Sequence, residues 1–264
     1  MVGGTTVCDG DCHEIESERR LVLAPLFAGQ RHTVFIDSVL QGHMGMAYAD
    51  DPVSPTVAHL VWGEIHYYGG DSTHPLARAF LAELPIDHTV YACVGPWWAL
   101  LSDTWEGRLI VLGVQHFDPS RLDRAHLLEL ARERPPGYEI RRTDVALAGR
   151  IEASLGSPDH VNLFDSPDDF AQRGIGYCAL WDETIVSAAS SSAICDGAIE
   201  VQINTHADHR RRGLARAVAA HLLVECLDRS LTSHWATRNP ASAALARQLG
   251  YRDGEVTELI VRVR

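Results

Sequence analysis

In the stretch AIEVQINT, apolar Ile199, Val201 and Ile203 alternate with polar Glu200, Gln202 and Asn204. That two-residue period predicts a strand with one wholly polar face. Two apolar runs precede it, IGYCALW and IVSAASSSAI, set off by the turn residues DET and CDG, so the three strands read as an antiparallel meander. The loop HADHRRRG then leads into a long helix in which Leu214, Val218, Leu222 and Cys226 form one row and Ala215, Ala219, Leu223 and Leu227 the next. His221, Glu225 and Asp228 lie opposite. The broad apolar face has to be covered by the sheet, and a polar face on an interior strand marks a candidate site. The fold class is therefore α/β (α+β), a mixed sheet with helices packed on it.

The other segments fit that frame. Towards the N-terminus SERRLVLAPLFAG, HPLARAFLAELP, WWALLSDTWEG and RLDRAHLLELARER read as helices, and TVAHLVWGEIHYYGG, HTVYACVG and RLIVLGVQ as strands. The turn signal PPGY, Pro135 to Tyr138, divides the chain into a smaller mixed α/β domain, 1–134, and a second domain, 135–264. In the second, YEIRRTD is a strand and VALAGRIEASLG a helix. SPDDFAQRG is a short helix with Ser166 as cap, Pro167 at its first position and Gly174 as terminator. Strand SHWATR, helix PASAALARQLG and a final strand EVTELIVRV follow. Tryptophans at helical spacing, Trp97, Trp98 and Trp105, are expected in the core.

Composition narrows the chemistry. All 23 basic residues are arginine, which removes the lysine that a Walker phosphate loop or a pyridoxal Schiff base requires. A net charge of -12 argues against a nucleic-acid partner and suits a cationic small molecule better. No apolar run is long enough to span a bilayer, and MVGGTTVCDG lacks the regions of a secretory signal. A cytoplasmic protein with six free thiols is the expectation. CDGDCH brings Cys8, Cys12 and His13 together, yet a zinc site needs four ligands and no second pair is present, so no metal is expected. GIGYCA precedes a strand, the wrong context for a dinucleotide loop.

Three arginines before a glycine at a helix start have a purpose in such an acidic chain. Exposed amides, the positive end of the helix dipole, a glycine permitting close approach and flanking guanidinium groups together suit a pyrophosphate. Arg210-Arg211-Arg212-Gly213-Leu214-Ala215 resembles the pyrophosphate-binding signature of the GNAT superfamily of acyl-CoA-dependent N-acyltransferases, Arg/Gln-x-x-Gly-x-Gly/Ala. Asn239, Ser242, Leu245, Gly250 and Tyr251 fall at the spacing of that superfamily's next motif. More narrowly, SPDDFAQRGIGYCAL, IVSAASSS and AIEVQINT resemble the GNAT family that includes the zwittermicin A resistance acetyltransferase. The resemblance implies a sheet splayed between AIEVQINT and SHWATR, with acetyl-CoA in the cleft and Asn239 against its pantetheine. It also implies N-acetyl transfer to an amine-bearing small molecule, including an antibiotic in self-protection or resistance. A degenerate second copy of the same fold, as in tandem GNAT proteins, is one reading of the N-terminal part.

The chemistry sets requirements of its own. An alkylamine with a pKa of ~10.4 is neutral in only about one molecule in 2,500 at pH 7, so a base is needed. Glu200 on the polar face is the candidate base, and a cross-strand or positioning role is the equal alternative. Backbone groups of Ile203, Asn204 and Thr205 are expected to meet the pantetheine arm. Many GNAT enzymes place a thiolate-protonating tyrosine seven residues after the asparagine; here that position is Ala246, and Ser242 is the nearest replacement. The rival readings are a different acyl-CoA and a non-catalytic CoA-binding module.

Overall fold

The computed structural model describes residues 12–30, 33–91 and 95–264. The first elements are β1 (His13–Glu14), a 3-10 segment (Ser17–Phe27), α1 (Thr33–Leu40), β2 (Met46–Ala49), β3 (Val57–Trp62) and β4 (Ile65–Gly70). Then come α2 (Pro75–Ala82), β5 (Thr89–Tyr91), α3 (Pro96–Trp105), β6 (Leu109–Asp118) and α4 (Arg124–Arg132). From there run β7 (Glu139–Arg142), α5 (Val145–Ala148), α6 (Ile151–Leu155), a 3-10 turn (Pro158–His160), α7 (Pro167–Arg173), β8 (Gly176–Trp181) and β9 (Thr184–Cys195). The last elements are β10 (Ala198–Thr205), α8 (Leu214–Asp228), β11 (Thr232–Thr237), α9 (Pro240–Leu249) and β12 (Arg252–Arg262). Contacts divide the chain into a unit running to Val114 that takes in Val256–Arg264, and a unit of Gln115–Glu255. PPGY, where the sequence places a boundary, lies inside the second unit.

In the first unit β1 to β4 are antiparallel neighbours, and β4 runs parallel to β5 at Ile65↔Thr89 and His66↔Val90. The partner on the other side of β5 is β12, through Leu259↔Tyr91 and Val261↔Thr89. Trp97 and Trp105 belong to the core here, with Tyr68, Phe80, Leu101 and Ile260. Each tryptophan is anchored by its indole N–H, Trp97 on the Gly70 carbonyl and Trp105 on that of Leu81, so burial leaves neither donor unmet. His74 caps α2 by accepting the Leu76 N–H, and no arginine loop precedes this helix.

The second unit orders its strands β6-β11-β10-β9-β8-β7. The meander from β7 to β10 is as expected, and β10 then runs parallel to β11. The strand beyond β11 is β6, through Trp235↔Phe117 and Thr237↔Gln115, while the last strand of the chain pairs with β5 in the first unit. The first unit thus takes its strand beside β5 from the far end of the chain. Helix α8 buries Leu214, Val218, Leu222, Leu223 and Cys226 on its apolar face, worth roughly 1.5–3 kcal/mol for each large side chain. On its polar side Glu225 meets Arg142 and the Tyr177 hydroxyl, and Asp228 meets Arg124. Gly149 divides the single helix expected from VALAGRIEASLG into α5 and α6.

Cys178 and Cys226 are free thiols, whereas Cys12 is disulfide-bonded, which corrects the expectation of free thiols at that residue. Cys8 lies outside the described residues. Among the described residues, no helix is long and apolar enough to cross a membrane.

Candidate functional site

Strand β10 follows β9 from Ala198↔Cys195 to Thr205↔Ser187, but it pairs with β11 only at Ala198↔Thr232, Ile199↔Ser233 and Glu200↔His234. Beyond Glu200 the two parallel strands part. The register on the β9 side shifts at the same point: Glu200 faces Ala193 and Val201 faces Ser191, which leaves Ser192 of β9 as an extra residue. Such a bulge bends a strand and increases its twist. The Ser192 hydroxyl donates to the Glu200 carbonyl and holds the bulge at that point. The edge from Val201 to Thr205, which includes Ile203, Asn204 and Thr205, is therefore free of β11 and half-buried after Val201.

Glu200 sits at the apex of this cleft with 6% of its surface exposed. Burial pushes its carboxyl up to about 8, and the Ala236 N–H that it accepts from β11 pulls it back only in part. His234 is its neighbour in the parallel pairing, and His116 stands on β6 opposite Ala236. Burial lowers His234 and, with His234 beside it, pushes His116 down to about 4, so both rings are neutral near pH 7. Neither therefore brings a positive charge that would draw the Glu200 carboxyl down.

The arginine loop lies at the carboxyl end of β10. Arg210 Nε donates to the Thr205 carbonyl at 3.1 Å, and Arg212 Nη2 to that of Asp208 at 3.2 Å. Arg212 Nη1 also donates to Tyr138 Oη at 2.9 Å, and the Tyr138 hydroxyl meets His209 Nδ1 at 2.9 Å. Arg211 takes a left-handed backbone, φ +62°, and all three arginines are exposed. Among the described residues none of the three forms an ion pair, so their charges stay available. Gly213 has φ +80° as the N-cap of α8, and no side chain caps the helix. The nearest atom a β-carbon there would meet is Arg216 Nη2 at 3.8 Å. Uncapped amides ahead of Leu214 and Ala215, an open approach and unpaired guanidinium groups fit an anionic diphosphate.

Asn239 and Ser242 lie past the end of β11. Asn239 caps α9, its Oδ1 accepting the Ala241 N–H at 2.8 Å, which leaves its NH2 to donate elsewhere. Ser242 Oγ accepts the Trp235 indole N–H at 3.1 Å and keeps its own proton. Ala246 is fully buried in α9, and Tyr251 is a buried aromatic hydrogen-bonded to Ser233, as a packing role requires.

Three participants have no motif in the sequence. Tyr138, in the turn read as a boundary, joins Arg212 to His209. His234 owes its place beside Glu200 to strand pairing. His160, 1% exposed, contacts Ser190 Oγ through Nδ1 and Asn204 Oδ1 through Nε2.

Known proteins share this fold. A GCN5-related N-acetyltransferase-like protein from Streptococcus suis 89/1591 superposes with a TM-score of 0.80 at 26% identity, over 92% of this chain and 98% of that one. A tandem GNAT protein from the clavulanic acid biosynthesis pathway shares the fold, with a TM-score of 0.57 at 15% identity over 94% and 97% of the two chains. YdfB of Bacillus subtilis (strain 168), described as an uncharacterized N-acetyltransferase, is 24% identical over 258 residues, 94% of this chain and 97% of that protein. The sequence model of the GNAT acetyltransferase family matches residues 24–259, and the chain accordingly belongs to that family of N-acetyltransferases.

Proposed function

We propose that the second unit transfers the acetyl group of acetyl-CoA to a primary amine of a small cationic molecule in the cytoplasm, with protection against an amine-bearing antibiotic as its role. The observation that carries this reading is the parting of β10 and β11 at Glu200, one loop away from an uncapped helix start flanked by three arginines. Acetyl-CoA supplies the activated thioester carbonyl. Arg210, Arg211, Arg212, the amides at Gly213, Leu214 and Ala215, and the NH2 of Asn239 hold the donor, and the backbone of Ile203, Asn204 and Thr205 lines its pantetheine arm.

Glu200 takes the proton of the acceptor ammonium. Moving a proton from an amine of pKa ~10.4 to a carboxyl near 8 costs about 3 kcal/mol, against about 8 kcal/mol for an ordinary glutamate. The raised value thus brings the base within reach of its substrate, and transfer of the amine out of water narrows the gap further. Ser242 is placed in the role of proton donor to the departing thiolate, its oxygen polarised by Trp235. The acidic surface, with net charge -12, favours a cationic acceptor at encounter. A panel of polyamines, amino sugars and aminoglycoside-type compounds, followed by thiol release from acetyl-CoA, tests the reading; release with none of them, in protein that binds acetyl-CoA, would overturn it.

A further inference from the structure

His160 is buried, with both ring nitrogens engaged, Nδ1 at 2.7 Å from Ser190 Oγ and Nε2 at 3.0 Å from Asn204 Oδ1. Since Asn204 Oδ1 can only accept, the ring carries its proton on Nε2, and Nδ1 accepts the Ser190 hydroxyl proton. Burial pushes this imidazole down to about 4, so the neutral form is the one present at pH 7. A second donor, Gln202 Nε2–H, reaches the same Asn204 oxygen at 3.1 Å. With its oxygen held by two donors, the Asn204 carboxamide has its NH2 turned away from both. Burying an imidazole is unfavourable unless its nitrogens are bonded, and these two bonds fix one side chain on the cleft strand.

Strand geometry gives the scale. Residues i and i+2 are roughly 6–7 Å apart, so Gln202 stands midway between Glu200 and Asn204 on the polar face. An amine that gives its proton to Glu200 from above Gln202 therefore holds its nearest substituents within reach of the Asn204 NH2. We propose that His160 is a positioning residue which, by fixing Asn204, makes the site select amines that carry a hydroxyl or carbonyl oxygen one or two carbons from the nitrogen. The inference rests on the reading that transfer takes place along β10.

Two probes that differ by one hydroxyl, trans-2-aminocyclohexanol and cyclohexylamine, test it. In histidine-labelled protein with CoA present, the amino alcohol shifts the His160 Nε2 nitrogen resonance and cyclohexylamine leaves it in place. In steady-state thiol release from acetyl-CoA, the amino alcohol is favoured by about tenfold in kcat/KM, expressed in KM, the scale of one hydrogen bond. His160→Leu brings the ratio near one, and His160→Gln, which keeps an N–H for Asn204, restores most of it. In an Asn204→Ala background His160→Leu has no further effect on the ratio. A resonance moved equally by both probes, or by neither, overturns the proposal, as does a ratio that survives His160→Leu. A selective shift with no thiol release from either amine supports the positioning and overturns the transfer reading instead.

Discussion

The Glu200 carboxyl accepts the backbone N–H of Ala236 at the place where β10 leaves β11. The side chain stands in for the strand partner that β10 no longer supplies, and it does so with one neutral donor. One such bond does not offset burial of a carboxylate, and the neighbouring rings of His234 and His116 are themselves held neutral. A carboxyl of raised basicity thus stands at the apex of the cleft, level with the bulge in β9.

Glu200→Gln should cut turnover at neutral pH by about 10²–10⁴-fold and leave acetyl-CoA affinity nearly intact. The wild-type rate should rise with pH through a limb near 8, as the carboxyl ionises. In the variant that limb should be absent and the rate should climb with the fraction of free amine. Steady-state constants over a pH series decide it; a raised acceptor KM with normal turnover would assign Glu200 to anchoring.

Gly213→Asp should abolish stabilisation by acetyl-CoA, which at 100 times the dissociation constant is worth about 2.7 kcal/mol in the unaltered protein. Two effects act together, strain at φ +80° and a carboxylate facing the anion. Thermal melts with and without millimolar acetyl-CoA measure it, and an intact ligand shift in the variant would place the diphosphate elsewhere.

Asn239 carries two roles that substitutions can separate. Asn239→Ala removes the cap of α9 and should cost about 1 kcal/mol of stability as well as raising the acetyl-CoA KM. Asn239→Asp keeps an accepting oxygen for the Ala241 N–H and loses the NH2, so stability should be retained while the KM still rises. Melting temperatures paired with kinetics distinguish them; a normal KM in the aspartate variant would leave Asn239 with capping alone.

What the sequence makes legible here is local. Ser166 and Pro167 open α7 as capping chemistry requires, Gly174 ends it in an extended conformation, and alternation identifies the polar row of Glu200, Gln202 and Asn204. The expected strand and helix order of the second domain is likewise observed. Choices between distant segments are not legible in this way. RLIVLGVQ and EVTELIVRV are both apolar strands, and neither says which of them lies against β11. The bulge at Ser192 sits in a run of small residues, where nothing marks one serine as unpaired. His160 is one of 14 histidines and gains its place only when the Pro158–His160 turn meets β10. The capping role of Asn239 was available from the Asn-Pro pair that opens α9.

Buried neutral histidines should make the protein sensitive to mild acid. Burial pushes His66 down to about 3, His116 and His160 to about 4, and His59 well below its usual value. In the folded state these rings bind fewer protons than in the unfolded chain. Their contribution is therefore fully present above about pH 6.5 and is lost as pH falls from there towards 3–4. Between pH 6 and 5, unfolding should take up at least about three protons, these four imidazoles against one carboxyl that works the other way, with His221 and His234, which burial also lowers, adding to the uptake. The slope of unfolding free energy from urea melts gives the number, and a flat profile in this interval would show that the rings titrate normally.

The opposing carboxyl is Glu200, and its sign yields a separate expectation. With its folded value raised to about 8 from 4.5, the protonated form is favoured by folding. The folded state then binds the extra proton between those values, so its contribution to stability falls steadily as pH rises from 4.5 to 8. Glu200→Gln removes the ionisation, and the new side chain still offers an oxygen to the Ala236 N–H. The variant should accordingly be more stable than the wild type at pH 7, by up to about 3 kcal/mol, with the gap closing as pH falls towards 4.5. Urea melts of both proteins at pH 5, 6, 7 and 8 test this. A gap independent of pH would mean that Glu200 ionises normally in the fold, and the base would lose the feature that matches it to an ammonium substrate. A gap that widens with pH, in a variant that has lost turnover, would show stability given up at the residue on which proton removal depends.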